Sequence, residues 1–134
     1  TRLAAAPEGH EVLVAVRDAR RLAGRDDVSP EDAIAVLGEG FTSDEALAIG
    51  LYAALRANSF EEAVRLAAEH DGDSDTTASI AGQIWGALYG LDVVPHDGVR
   101  RLDVLEAMGD AAGRLLDRAS AARPSSPQLQ LAST

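Results

Sequence analysis

The sequence of 134 residues contains no cysteine, which excludes a disulfide framework and thiolate chemistry. It also contains no lysine, and all twelve cationic residues are arginine. Acids outnumber them, 22 to 12, for a formal net charge of −10. Affinity for a phosphate backbone needs clustered cations, so this balance argues against nucleic acid as a partner. Aromatic residues make up only 4% of the chain, although 46% is hydrophobic. The core must then be built from alanine and leucine on closely approaching helices. No apolar run nears the ~20 residues needed to span a bilayer. No basic segment followed by an apolar one opens the chain. A soluble, cytoplasmic protein with no membrane partner is the expectation.

Helix signals recur along the chain. After Pro7, Val12, Ala15, Val16, Ala19 and Leu22 share one face at three- and four-residue spacing, and Gly24 is a stop. In VSPEDAIAVLGEG, Ser29 is a good N-cap, Pro30 suits the first helical position and Asp32 completes the capping pattern. Gly38 and Gly40 end that helix. Thr42 and Glu45 have capping-box spacing ahead of a third helix, which Asn58 can end in a left-handed conformation. Ser59 and Glu62 repeat the device. A fifth helix is expected from about Thr76 to Tyr89. A turn-like VVPHDG then leads to a last helix from about Val99 or Arg101 to Ala121, with Leu102, Leu105, Met108, Ala112, Leu115 and Leu116 on one face. From 122 on, the chain is rich in proline and serine and reads as a tail. No strand-length alternation occurs. The fold class is all-α, a compact helical bundle of five or six helices over residues 1–121.

The stretch HDGDSDTTASIAGQIWGALYG combines two penalties. Asp71, Asp73 and Asp75 lie two residues apart and repel one another. The helix behind them carries glycine at 82 and 86, each costing about 1 kcal/mol relative to alanine, and at 90. A solvated acidic loop with an N-cap aspartate accounts for the acids. A calcium loop of EF-hand type does not, because Thr76 stands where glycine is needed and Gly82 where glutamate is needed. A hard-cation site of another geometry is the alternative. On an extended entry segment, alternate carboxylates point the same way, and the Thr76 hydroxyl begins the helix. Ser74, Ala78, Gly82, Gly86 and Gly90 form one small-residue ridge, which would let a neighbouring helix approach closely. Trp85 is expected in the core.

These residues, with LGEGFTSDEALAIGLYAAL and SFEEAVRLA upstream, resemble the C-terminal part of the ADP-ribosylglycohydrolases, the family that includes the dinitrogenase-reductase-activating glycohydrolases. The likeness covers about residues 12 to 118. Its specific block is D-x-D-T-T-A-x-x-A-G. Asp71 stands where the family pattern has a glycine, and Glu69 where asparagine is common. Aspartate visits the left-handed region more readily than most residues, so Asp71 is expected to tolerate the backbone angle of that glycine.

The resemblance implies an all-α fold and a centre of two magnesium or manganese ions. It implies hydrolysis of the N- or O-glycosidic bond joining ADP-ribose to a protein side chain. The family's ligands map onto Asp73, Asp75 and Thr76, with Asp75 the central ligand, and Asp73 and Asp75 are the expected catalytic pair. Gly38, Gly40 and Phe41, with His70 and Gly72, are the expected substrate-binding residues. The family's other ligand set, a T-D-D-T motif, belongs to its N-terminal half and is not found in this sequence. The chain is therefore expected to be the C-terminal part of a larger domain, partnered by its N-terminal half as a fragment or a second chain. Its substrate would be an ADP-ribosylated protein or ADP-ribose itself. The alternative is a non-catalytic module that binds ADP-ribose or a cation, or a purely structural helical module.

Overall fold

The architecture comes from a computed structural model, and the structure describes residues 7–121 of the chain. The proline- and serine-rich tail from 122 lies outside the described residues. The described residues form helices joined by short turns, with no strand among them, as the all-α expectation required. None of these helices is long and apolar enough to cross a membrane. The chain divides between Pro95 and His96 into two units.

Helices α1 (Pro7–Ala23), α2 (Pro30–Leu37), α3 (Ser43–Arg56), α4 (Phe60–Ala68) and α5 (Ser74–Tyr89) make up most of the first unit, which ends in a 3-10 turn at Leu91–Val93. Local chemistry sets the starts of α2 and α4. The Ser29 hydroxyl accepts the Asp32 N–H at 3.1 Å, and Pro30 needs no partner in the first turn. Ser59 accepts the Glu62 N–H at 3.1 Å, and the Glu62 carboxylate reaches back to the Asn58 N–H at 2.7 Å. That contact overturns the expected left-handed end at Asn58. Helix α3 stops at Arg56 with Ala57 extended, and no residue other than glycine has a positive φ among those described. Asp71 likewise needs no left-handed conformation.

Helix α3 is the centre of this unit and packs against α1, α2, α4 and α5. Ile49 and Tyr52 bury one of its faces with Ala19, Leu22, Ala33, Ile34 and Leu37. Ala53 packs with Leu66, Ala67 and Ala81, and Ala54 with Ala63 and Trp85. Trp85 is in the core as expected, and its indole N–H donates to the Ala54 carbonyl at 3.0 Å. That carbonyl lies in the last turn of α3, where helices leave acceptors free.

The close approach between α3 and α5 is made by a different glycine from those expected. A Cβ on Gly50 of α3 would lie 2.5 Å from Ile80 Cγ2 and 3.2 Å from the Thr77 carbonyl oxygen. Gly82 meets Phe60 and Val64 at ordinary contact distance, and Gly86 and Gly90 meet nothing within 4 Å. The ridge on α5 is therefore not a close-packed seam among the described residues. The reason is orientation: Thr77, Ala81 and Trp85 are the buried positions of α5, and Gly86 and Gly90 lie off that face.

In the second unit the last helix is split. The segment read as a turn forms α6 (His96–Val99), and α7 (Leu105–Ala121) follows after a hydrogen-bonded turn. The Arg101 side chain donates to the Asp97 carbonyl at 3.1 Å. The stripe of Leu102, Leu105, Met108, Leu115 and Leu116 is exposed.

Candidate functional site

Helix α5 begins at Ser74, two residues earlier than the sequence suggests. Asp73 occupies the N-cap position, and Asp75 and Thr76 already belong to the first turn, so they do not alternate along an extended strand. Early helix entry has a cause in Thr77. Its side chain is fully buried, and its hydroxyl donates to the Ala67 carbonyl of α4 at 2.6 Å. The carbonyls of Asp73 and Ser74 lie 3.1 Å from the same oxygen. Thr77 thereby fixes where the helix starts relative to α4.

His70 completes this knot. The Gly72 N–H donates to His70 Nδ1 at 3.1 Å, so Nδ1 carries no proton. The proton of the neutral ring then sits on Nε2, which donates to the Thr77 hydroxyl at 3.0 Å. Both ring nitrogens are engaged within the chain. His70 folds the acid loop onto α5, and this structural contact is separate from its expected place at the substrate.

The glycine loop docks on the acid loop backbone to backbone. The Asp73 N–H donates to the Glu39 carbonyl at 2.8 Å. Gly72 permits the approach, since a Cβ there would sit 1.8 Å from the Glu39 oxygen. Gly40 is buried, has φ +83, and would meet Thr77 Cγ2 at 2.9 Å if it bore a side chain. The Glu45 carboxylate accepts the N–H groups of Gly40 at 3.1 Å and Glu39 at 3.3 Å. In an ordinary capping box it would turn to the Thr42 N–H instead. The structure thus brings Gly38, Gly40, Gly72 and Asp73 into one assembly. Phe41 stands at its edge, 69% exposed, which places it outside the core.

Sequence reasoning missed Thr77 and gave Glu45 only a capping role at Thr42. The doubled threonine after Asp75 and the acid three residues after Thr42 are the signals that point to them.

Asp73 and Asp75, separated in sequence by Ser74 alone, are also neighbours in space. The Asp73 side chain, within hydrogen-bonding reach, and the Thr76 N–H at 2.9 Å hold the Asp75 carboxyl below its ordinary value of 3.8. The helix N-terminus favours the same ionised form. Two carboxylates and the Thr76 hydroxyl are hard oxygen donors, the chemistry magnesium and manganese prefer. Among the described residues, no group of three or more His, Asp or Glu side chains is placed to hold a metal ion.

Beside these loops lies a cavity of about 450 Å³, lined by Gly38, Glu39, Glu69, His70, Asp71 and Gly72 among others. Three of the five expected substrate residues, Gly38, His70 and Gly72, face it.

A family model described as ADP-ribosylglycohydrolase matches residues 1–125. The chain is 34% identical over 84 residues to the ADP-ribosylarginine hydrolase Tri1 of Pseudomonas putida (strain GB-1), covering 63% of this chain and 22% of that protein. It is 32% identical over 101 residues to the ADP-ribosylhydrolase ARH3 of Mus musculus, covering 63% of this chain and 27% of the relative. With ARH3 of Homo sapiens it shares 30% identity over 95 residues, covering 58% and 26%. The chain thus spans about a quarter of the length of the curated relatives it matches. No solved structure matches it.

Proposed function

The chain belongs to the ADP-ribosylglycohydrolase family, and from that membership we propose that it supplies the D-x-D-T side of a hydrolytic centre that removes ADP-ribose from modified protein side chains. The observation that carries this reading is the Asp73–Asp75 pair, placed at the N-cap and in the first turn of α5 and locked to the glycine loop through the Asp73 N–H. Two carboxylates placed together at a helix start are suited to a shared cation.

Asp73, Asp75 and Thr76 would hold magnesium or manganese. When bound, that metal, two ions in the whole domain, supplies the charge that activates a water and orients the ribose hydroxyls. The bond broken joins the anomeric carbon of the ribose to a side-chain nitrogen or oxygen. Gly38 and Gly72, which line the cavity, would face the substrate, Gly40 would hold the loop behind them, and the exposed Phe41 ring offers an apolar surface for ribose or base. The remaining donors would come from the N-terminal part of the family domain, in the same polypeptide or in another.

A second reading, a module that binds ADP-ribose or a cation without catalysis, is favoured by one observation. Among the described residues, no group of three or more His, Asp or Glu side chains could by itself hold a metal ion.

Release of ADP-ribose from an ADP-ribosylated protein separates the two. The chain supplied with a family N-terminal half should release ADP-ribose only with magnesium or manganese present. Asp75→Ala should abolish that release. Undiminished release by the variant would overturn the hydrolytic reading. Binding of ADP-ribose without release in any combination would favour the second.

A further inference from the structure

Glu45 sits in the first turn of α3, the helix at the centre of the first unit, so its backbone is fixed by the core around Ile49 and Tyr52. Its carboxylate is aimed away from its own helix and into the glycine loop. One oxygen, Oε2, accepts the N–H of Gly40 at 3.1 Å and that of Glu39 at 3.3 Å. The loop is shaped around it. A Cβ on Gly38, whose φ is +122, would lie 2.5 Å from the Glu45 side chain.

The Gly40 N–H and the Glu39 carbonyl are the two ends of one peptide group. Its N–H faces the Glu45 anion, and its oxygen accepts the Asp73 N–H at 2.8 Å. Hydrogen bonding to an anion polarises a peptide and makes its carbonyl a stronger acceptor. The chain of contacts therefore runs from a rigid helix, through one peptide, to the N-cap residue of α5. Among the described residues, no other side chain hydrogen-bonds to the N–H groups of Glu39 and Gly40.

We propose that Glu45 is a positioning residue for the acid pair: through the Glu39–Gly40 peptide, its charge sets the place of Asp73 and hence the spacing of Asp73 and Asp75. The purpose of that spacing rests on the cation reading above, while the coupling itself does not.

The test compares Glu45→Gln with the unaltered chain. Glutamine keeps the length and one acceptor but removes the charge. Ser29→Ala, which removes a helix cap remote from the loops, controls for general loss of stability. Amide exchange followed by NMR reads the coupling, and broadening of amide signals during a manganese titration reads the cation site. In Glu45→Gln the Gly40 and Asp73 amides should exchange about tenfold faster, with Trp85 still buried, and the manganese midpoint should rise several-fold. Ser29→Ala should change neither selectively. Glu45→Asp, which keeps the charge on a shorter arm, should fall between and serves if the glutamine variant does not fold. Unchanged Asp73 exchange overturns the proposal. So does faster exchange with an unmoved manganese midpoint, because the acid pair would then be placed without Glu45. Absence of broadening near Asp75 in the unaltered chain would sink the cation reading instead, and Asp73 exchange would still decide the role of Glu45.

Discussion

The Thr77 hydroxyl donates to the Ala67 carbonyl across 2.6 Å, tying the start of α5 to the last turn of α4. It is also the acceptor for His70, and Thr77 is the one buried polar residue among those described. Thr77→Val keeps the shape but leaves the Ala67 carbonyl and the His70 Nε2–H without this partner. A buried group left unpaired costs about 1–3 kcal/mol. The variant should lose that much stability in urea denaturation, followed by the fluorescence of the single tryptophan, Trp85. An unmoved midpoint would mean that water replaces the hydroxyl.

Gly50 and Gly86 should respond to alanine in opposite directions. At Gly50 the added methyl would press on Ile80 at 2.5 Å and on the Thr77 carbonyl at 3.2 Å, between two packed helices. Overpacking of this kind costs about 1–3 kcal/mol. At Gly86 the methyl meets nothing within 4 Å, and the helix gains about 0.5–1 kcal/mol. Melting temperatures of the two variants check this: Gly50→Ala should fall and Gly86→Ala should rise. A drop for Gly86→Ala would mean that something packs on that face in solution.

The same pair shows what could be read in advance. Capping residues and periodic apolar faces act over three or four positions, so Ser29, Pro30, Ser59 and the core face of α1 were legible. The face of α5 that packs was not, because Ser74, Ala78, Gly82, Gly86 and Gly90 form an equally regular row. Only the tertiary partner distinguishes that row from Thr77, Ala81 and Trp85. The acids and glycines of the site were visible as a motif. Their assembly was not, since it depends on one peptide bond at Glu39–Gly40 accepting on one side and donating on the other. Local spacing sent Glu45 to Thr42, whereas the loop beyond offered two N–H groups and won.

Glu62 gives the chain a defined acid sensitivity. Hydrogen bonds from the Asn58 backbone N–H and then its side-chain amide hold the Glu62 carboxyl below its ordinary value of 4.5. A carboxyl lowered on folding stabilises the folded state above its unfolded-state value. That contribution fades as pH falls through the lower, folded value. Glu62→Gln should therefore flatten the stability profile below about pH 4.5 and leave its shape near pH 7 unchanged. Denaturation midpoints between pH 3 and 7 read the effect, and parallel profiles would show that the bond is not formed in solution. The group is exposed, so salt should weaken its interactions with Arg65 and Arg56 first.

Gly72 is the place where the two loops touch most closely, and its replacement should separate docking from folding. A Cβ there would lie 1.8 Å from the Glu39 oxygen and 2.6 Å from its carbonyl carbon. Both are backbone atoms, so no side chain can turn aside. In Gly72→Ala one loop must move, and the Asp73 N–H loses the Glu39 carbonyl. The core around Trp85 has no stake in that bond, because Trp85 packs with Ala54 and Ala63. Hydrogen exchange should therefore rise at residues 39–40 and 72–73 while the central turns of α3 and α5 stay protected. Uniformly faster exchange would mean that the docked loops hold the whole unit together. Unchanged exchange at Asp73 would mean that the backbone contact is not formed in solution, and the geometry on which the acid pair depends would have to be set by His70 and Thr77 alone.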